Sequence, residues 1–355
     1  MNIADIPFFF IIGRPRSGTT LVRTLLDAHP SVKVPPEYPV ILSLYNRFGN
    51  RRRWNNNQLH EFDKCFKAPP PSENWKYTYL RINEAELKSL VGSLDDNTCV
   101  EDLVKAYYLS YTSIFEKEEI KLLGDKNPVF SSYAFRLAHI FPRAKFLFIT
   151  RDYRDNYMSI KRFKFEAPVA ALQAYRWKYV ARLMDALAKK YPDRVQHMRH
   201  EDLVANPAEC FAKVCAFLNI DYNPVVFDFY KKEDAILEIV DADLLQKFHS
   251  GLGKPINNEN VEVWRQKMSE RDVKIADCVV GKWAEKMGYE RKYKACNIWV
   301  RLTAKPWCVY GWLLYKIMSL GEHLPYALRT KMAKALPLLA KSYNSPAKSK
   351  RIRLD

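Results

Sequence analysis

Several absences narrow the class of this sequence at once. There is no Cys-x-x-Cys, and the seven cysteines, at 65, 99, 210, 215, 278, 296 and 308, are odd in number and scattered. Neither a zinc framework nor a disulfide framework is therefore expected, and a reducing, cytoplasmic setting is the default. No stretch reaches the roughly 18 uninterrupted apolar residues of a membrane-spanning helix. The nearest, 307–320, is shorter and contains Lys316. The apolar run at 7–12 has no basic segment ahead of it and is too short for the apolar part of a signal peptide. No internal repeat is visible. No His/Asp/Glu cluster has metal-ligand spacing, so no metal is expected.

What is present is ordinary in amount and uneven in placement. Of 355 residues, 48% are hydrophobic and 27% charged, a balance that excludes wholesale disorder. The formal charge is +17. Residues 290–355 hold 14 Lys+Arg against 3 Asp+Glu, and the rest of the chain carries only +6. The sequence thus reads as one large domain, 1–289, with a basic, aromatic-rich helical extension, 290–355.

Phe8 to Ile12 is a continuous β-forming run between Pro7 and Gly13, as expected of a strand buried on both faces. Helical spacing follows from Thr19 to Ala28. A second buried strand is expected at 145–150, with a helix from Asp152 to Phe163, and weaker strands at 121–123 and 194–198. Helical patterns lie near 100–118, 130–140, 168–190, 207–219 and 271–287. Strands alternating with helices predict an α/β fold of the P-loop type, a mostly parallel sheet with helices on both faces. Residues 50–82 break the periodicity with Arg51–Arg53, Asn55–Asn57 and Pro69–Pro71. They are expected to be an insertion forming part of a lid. Another loop is expected at 250–263.

The segment Gly13-Arg14-Pro15-Arg16-Ser17-Gly18-Thr19-Thr20 joins a strand to a helix. Such a loop turns backbone N–H groups and a helix N-terminus toward an anion. Its glycines have the spacing of G-x-x-x-x-G-K-[ST], but Thr19 stands where the lysine would be. That lysine normally reaches the β- and γ-phosphates of a nucleoside triphosphate, so an ATPase or kinase is disfavoured. Arg16 and the hydroxyls of Ser17, Thr19 and Thr20 suit a single 5'-phosphate bearing another small anion. Arg151 ends the second strong strand, and Ser159 lies eight residues on, about two turns into a helix. Together they can bind a second phosphate through charge-assisted hydrogen bonds. The pair and the loop imply one ligand with two separated phosphate groups.

At this point the sequence resembles the sulfotransferases that use 3'-phosphoadenosine-5'-phosphosulfate (PAPS). The loop resembles their 5'-phosphosulfate site, and Arg151 with Ser159 their 3'-phosphate site. It is similar above all to the tyrosylprotein sulfotransferase branch. That likeness lies in Pro15 to Leu21 continuing through Leu26-Asp27-Ala28-His29-Pro30, in Lys126-Asn127-Pro128, and in Lys254-Pro255-Ile256-Asn257 followed by Trp264. It spans roughly residues 7–289. The resemblance implies PAPS as donor and 3',5'-ADP as product.

Sulfuryl transfer to an alcohol requires removal of the hydroxyl proton, stabilisation of charge on the leaving oxygen, and alignment of the two reactants. Glu37, in Lys33-Val34-Pro35-Pro36-Glu37-Tyr38, matches the branch's catalytic glutamate and is the expected base. The branch often has two adjacent glutamates, and here Pro36 replaces the first. Arg16 and Lys126 are the expected stabilisers of charge, and Lys254 an expected cofactor contact from a closing loop. His29, His139, His197, His200 and His249 rank below Glu37 as a base. The aromatic, basic extension, with Trp299, Trp307, Tyr310, Trp312 and Tyr315, favours a small, lipid-like or sterol acceptor and peripheral membrane contact. The alternatives are a carbohydrate or a peptidyl tyrosine. A more distant alternative, a non-enzymatic protein binding nucleic acid through the tail, leaves two phosphate sites in the core unexplained, so no nucleic-acid partner is expected.

Overall fold

The strand Phe8–Gly13 (β1) is buried along its whole length. It pairs in parallel with Leu122–Lys126 (β3) on one side and Lys145–Thr150 (β4) on the other. Val32–Lys33 (β2) and Val195–Arg199 (β5) complete a five-stranded, all-parallel sheet in the order β2-β3-β1-β4-β5. The α/β fold with a parallel sheet is thus as expected. The computed structural model describes residues 3–67, 76–95, 97–163, 166–232, 253–321 and 328. His249, the triplet Pro69–Pro71 and most of the basic tail lie outside the described residues.

Because strand side chains alternate, β1 feeds two cores. Phe9 and Ile11 face one core, with Leu147 and Ile149 of β4 and with Val22, Leu25 and Leu26 of the helix Thr19–Ala28 (α1). Phe8 and Phe10 face the other, where the rings of Tyr108, Phe141 and Phe146 lie 4.7–5.5 Å away. Each fully buried large side chain contributes roughly 1.5–3 kcal/mol of transfer free energy.

The insertion expected at 50–82 contains a helix, Asn56–Lys67, that buries Phe62 and Phe66, and two further expectations are corrected. Phe66 stacks on Tyr107 at 3.8 Å, and its carbonyl accepts a hydrogen bond from Tyr38. Polar repeats hid a helix whose apolar stripe is only two residues wide. The helices expected at 100–118 and 271–287 are shorter, Val100–Leu109 and Glu270–Val280. Tyr111 bridges to Ile82 after the first, and a separate turn, Trp283–Lys286, follows the second. Finally, Cys278 and Cys296 form a disulfide, with Cα atoms 5.1 Å apart. Their separation of 18 residues matches no local motif, and the turn between them brings them together.

The chain divides into two compact units, 1–156 with 180–263, and 157–179 with 264–355. The sequence-based boundary at 289/290 falls inside the second. Among the described residues, no helix is long and apolar enough to cross a membrane, and no group of three metal-ligating side chains occurs.

Candidate active site

The C-terminal edge of a parallel sheet is where ligands of such folds bind. Here that edge carries Gly13, Lys126 and Arg151, at or just beyond the ends of three adjacent strands. Ser131, from the turn Pro128–Tyr133 that follows β3, ties that turn to Gly13 at the end of β1. Its Oγ accepts from the Gly13 N–H and donates to the Gly13 carbonyl, both at 2.8 Å.

The loop then curls. Arg16 and Gly18 have φ of 69° and 89°, and α1 starts at Thr19 with no side chain capping its first N–H groups. N–H groups in such a position can hold an anion, in the way helix N-termini bind phosphate. Asn156 braces the loop from behind, donating to the Pro15 carbonyl at 2.7 Å and to Ser17 Oγ at 3.3 Å. Arg14, Ser17 and Thr19 are buried.

Arg151 is buried and donates to two carbonyls, Arg16 at 3.2 Å and Asn260 at 2.5 Å. The second bond brings the loop after residue 253 to the phosphate loop, and the Glu262 N–H reinforces it by donating to Asp155 at 2.7 Å. Lys254, in the same loop, is exposed. Ser159 is partly buried on the helix Tyr153–Phe163, two turns past Arg151. The division between the two units falls within that helix, after Asn156.

His200 packs its ring against Gly18. A Cβ at Gly18 would lie 2.4 Å from His200 Nδ1, so only glycine fits there, for space as well as for its positive φ. Burial and the neighbouring Arg151 charge push the His200 pKa down to about 3, and its buried Nδ1 has no hydrogen-bond partner. A ring held neutral in this way is a poor proton acceptor. His197, held by Thr150 at 2.6 Å, is pushed down to about 4 by burial. His29 is tied to Ser31 and to the Asp221 carbonyl.

Glu37 and Lys126 meet. Lys126 Nζ donates to Glu37 Oε2 at 2.6 Å, the lysine side chain 5% exposed and the glutamate 29%. One carboxylate edge is thus held in place while the residue keeps access to solvent. Lys126 is fixed from both sides in sequence. Asn127 donates to both oxygens of Asp125, and Tyr108 donates to Asp125 at 2.5 Å. Burial pushes the Asp125 pKa up to about 7.

The segment leading to Glu37 is anchored by Asp27, at the end of α1. Asp27 is fully buried and accepts from the Val34 N–H at 3.0 Å, Ser113 at 2.9 Å, Tyr111 at 3.1 Å and Arg23 at 3.2 Å. Arg23 also donates to the Val34 carbonyl, and Lys117 to the Val32 and His29 carbonyls. The buried charge is satisfied on every side, as burial of a carboxylate requires. Sequence reasoning had seen Asp27 only as part of a resemblance. It passed over Ser131 and Asn156, whose partners lie more than 100 residues away.

The Sulfotransferase family profile matches residues 7–224. The chain belongs to the sulfotransferase family. With the family come the donor PAPS and sulfuryl transfer as the class of reaction. This sulfotransferase is 27% identical to the protein-tyrosine sulfotransferase of Drosophila melanogaster, over 73% of the present chain and 47% of the fly protein. It is also 27% identical to protein-tyrosine sulfotransferase 1 of Danio rerio, over 81% of the chain and 73% of that protein. The chain thus spans about half the length of the fly relative. The sulfotransferase domain of the Synechococcus olefin synthase has the same fold, with a TM-score of 0.53 at 22% identity, over 80% of this chain and 95% of that one. The residues at the sheet edge fit the donor, since N–H groups, hydroxyls, guanidinium groups and an ammonium gather where an anion is to be held.

Proposed function

We propose that this sulfotransferase transfers the sulfuryl group of PAPS to a hydroxyl acceptor that Glu37 deprotonates. The observation that carries the reading is the 2.6 Å ion pair between Glu37 and Lys126, at the sheet edge that also bears the phosphate loop. When bound, PAPS supplies the sulfuryl group and a good leaving group, 3',5'-ADP. Gly13 to Thr20 hold the 5' end through backbone N–H groups and hydroxyls, with Arg16 adding charge. Arg151 holds the 3'-phosphate side, and Lys254 adds a contact from the loop after residue 253. Lys126 orients Glu37 and places an ammonium where negative charge gathers as the reaction proceeds. Glu37 accepts the acceptor's hydroxyl proton.

For the acceptor we favour a peptidyl tyrosine. The reading is supported by the printed names of relatives that align over most of the chain, and by a net charge of +17 that attracts acidic polypeptides. A hydrophobic alcohol such as a sterol or lipid is the second reading. It is supported by the exposed apolar and aromatic side chains of the helix Ile298–Gly321. For the compartment, the Cys278–Cys296 pair supports an oxidising one in place of the cytoplasm.

The test is incubation with labelled PAPS and separate pools of tyrosine peptides, glycans, sterols and lipids, with mass spectrometry of the products. Sulfated tyrosine supports the first acceptor, a sulfated sterol or lipid the second. Absence of transfer to every pool, with 3',5'-ADP binding intact, would overturn both acceptor readings.

A further inference from the structure

The helix Ile298–Gly321 is apolar on two opposite sides, and its own unit uses only one. Ala304, Gly311 and Tyr315 are buried. Gly311 comes so close to the helix Ala170–Lys190 that an added Cβ would lie 2.6 Å from the Tyr175 ring. Tyr315 stacks on Tyr179 at 3.8 Å. At about 100° per residue, Ile298, Leu302, Val309, Leu313 and Leu320 fall within about 60° of one another on the far side. All five are exposed, Ile298 by 58% and Leu320 by 66%. The exposed rings of Trp299 and Trp312 flank them. Arg301, Lys305 and Lys316 are exposed on the same helix, which contains no Asp or Glu.

We propose that this face is a membrane-docking surface, which lies flat in the head-group layer of an anionic bilayer. An exposed apolar stripe of this length, broken by Lys316 and edged by Lys305, marks an interaction site rather than ordinary surface. Tryptophans beside aliphatic residues, with a cationic fringe, are what the interfacial layer accepts. Charge decides between lipid and a second copy of the chain. Pairing this face with itself would set cations against cations with no carboxylate on the helix to relieve them, whereas anionic lipid neutralises all three. The disulfide at Cys296, two residues before the helix, ties the segment that enters it to the helix Glu270–Val280. The proposal holds whichever acceptor is used.

The test is co-sedimentation of the full chain with vesicles of phosphatidylcholine, with and without phosphatidylglycerol. Binding is expected on the anionic vesicles and is expected to fall about tenfold or more in the double variant Leu302→Asp/Leu313→Asp, with circular dichroism and 3',5'-ADP affinity unchanged. The charge-reversed Lys305→Glu/Lys316→Glu variant alters only exposed side chains and is expected to lose the preference for anionic vesicles. Full vesicle binding by both variants would overturn the proposal by placing the contact elsewhere. So would absence of vesicle binding in the wild type, or a concentration-dependent dimer that Leu302→Asp/Leu313→Asp dissolves.

Discussion

The sheet edge and the last described helix depart from ordinary burial in opposite directions. At the sheet edge, polar groups that water would normally keep are inside. Ser17, Lys126, Arg151 and Asp27 are all under 10% exposed. In the helix Ile298–Gly321, Leu, Ile, Val and Trp side chains that a core would normally take are outside. The first departure is satisfied within the chain. Asp27 has four donors, Lys126 has Glu37, and Arg151 has two carbonyls. The exposed stripe is not satisfied within its own helix or by the unit it packs on. Buried polarity here organises a site for a small anion. Exposed apolarity calls for something large outside the chain.

The comparison can be broken at its polar end. Glu37→Gln keeps the shape of the side chain and removes the proton acceptor. We expect kcat to fall by about 10²–10⁴-fold, with 3',5'-ADP affinity by calorimetry unchanged. Near-normal turnover would remove Glu37 as the base. Arg151→Ala is expected to weaken 3',5'-ADP binding by about 10–100-fold, the loss of a charged hydrogen-bonding group, and unchanged affinity would sink its assignment to the cofactor. Gly18→Ala forces a Cβ into the His200 ring at a positive φ. It is expected to lower stability by about 1–3 kcal/mol in urea unfolding and to weaken 3',5'-ADP binding. Here Gly18→Ser, which carries the same Cβ, should behave alike.

A pH series sharpens the comparison instead. His200 takes up a proton more readily unfolded, where its pKa is near 6.5, than folded, where it is about 3. The fold therefore loses stability as pH falls below 6.5, at up to about 1.4 kcal/mol per pH unit for this one group, and the loss levels off near 3. His200→Gln should flatten that limb in urea unfolding at a series of pH values, leaving the share due to His197. Asp125, raised to about 7, has the opposite sign, so its contribution weakens the fold as pH rises from about 4 to 7.

Much of the fold was legible because the signals were local. Phe8–Ile12 and 145–150 read as buried strands from their unbroken apolar runs, and both are. α1 begins and ends where its spacing placed it. β2 was invisible, because two residues, Val32 and Lys33, become a strand only by pairing with Leu122 and Leu123. The helix Asn56–Lys67 was missed because Phe62 and Phe66 alone carry its buried side. Of the candidate site, the loop, Glu37, Lys126 and Arg151 were singled out from motif and resemblance. Ser131, Asn156 and the Asp27 anchor were not, because a serine or an asparagine has no sequence signature for bracing a loop.

By itself the sequence determined the strand–loop–helix unit at Gly13–Thr20 and the anion it suits, because turn, glycine spacing and helix start all lie within a few residues of one another. It also determined that the extension from residue 290 is basic and rich in aromatic residues. Only the tertiary structure decided that Glu37 and Lys126, 89 residues apart, share a hydrogen bond, that His200 closes on Gly18, and which side of Ile298–Gly321 is covered. Those facts depend on parallel strand register and helix packing, which are set by the whole core at once, and no local window of residues contains them.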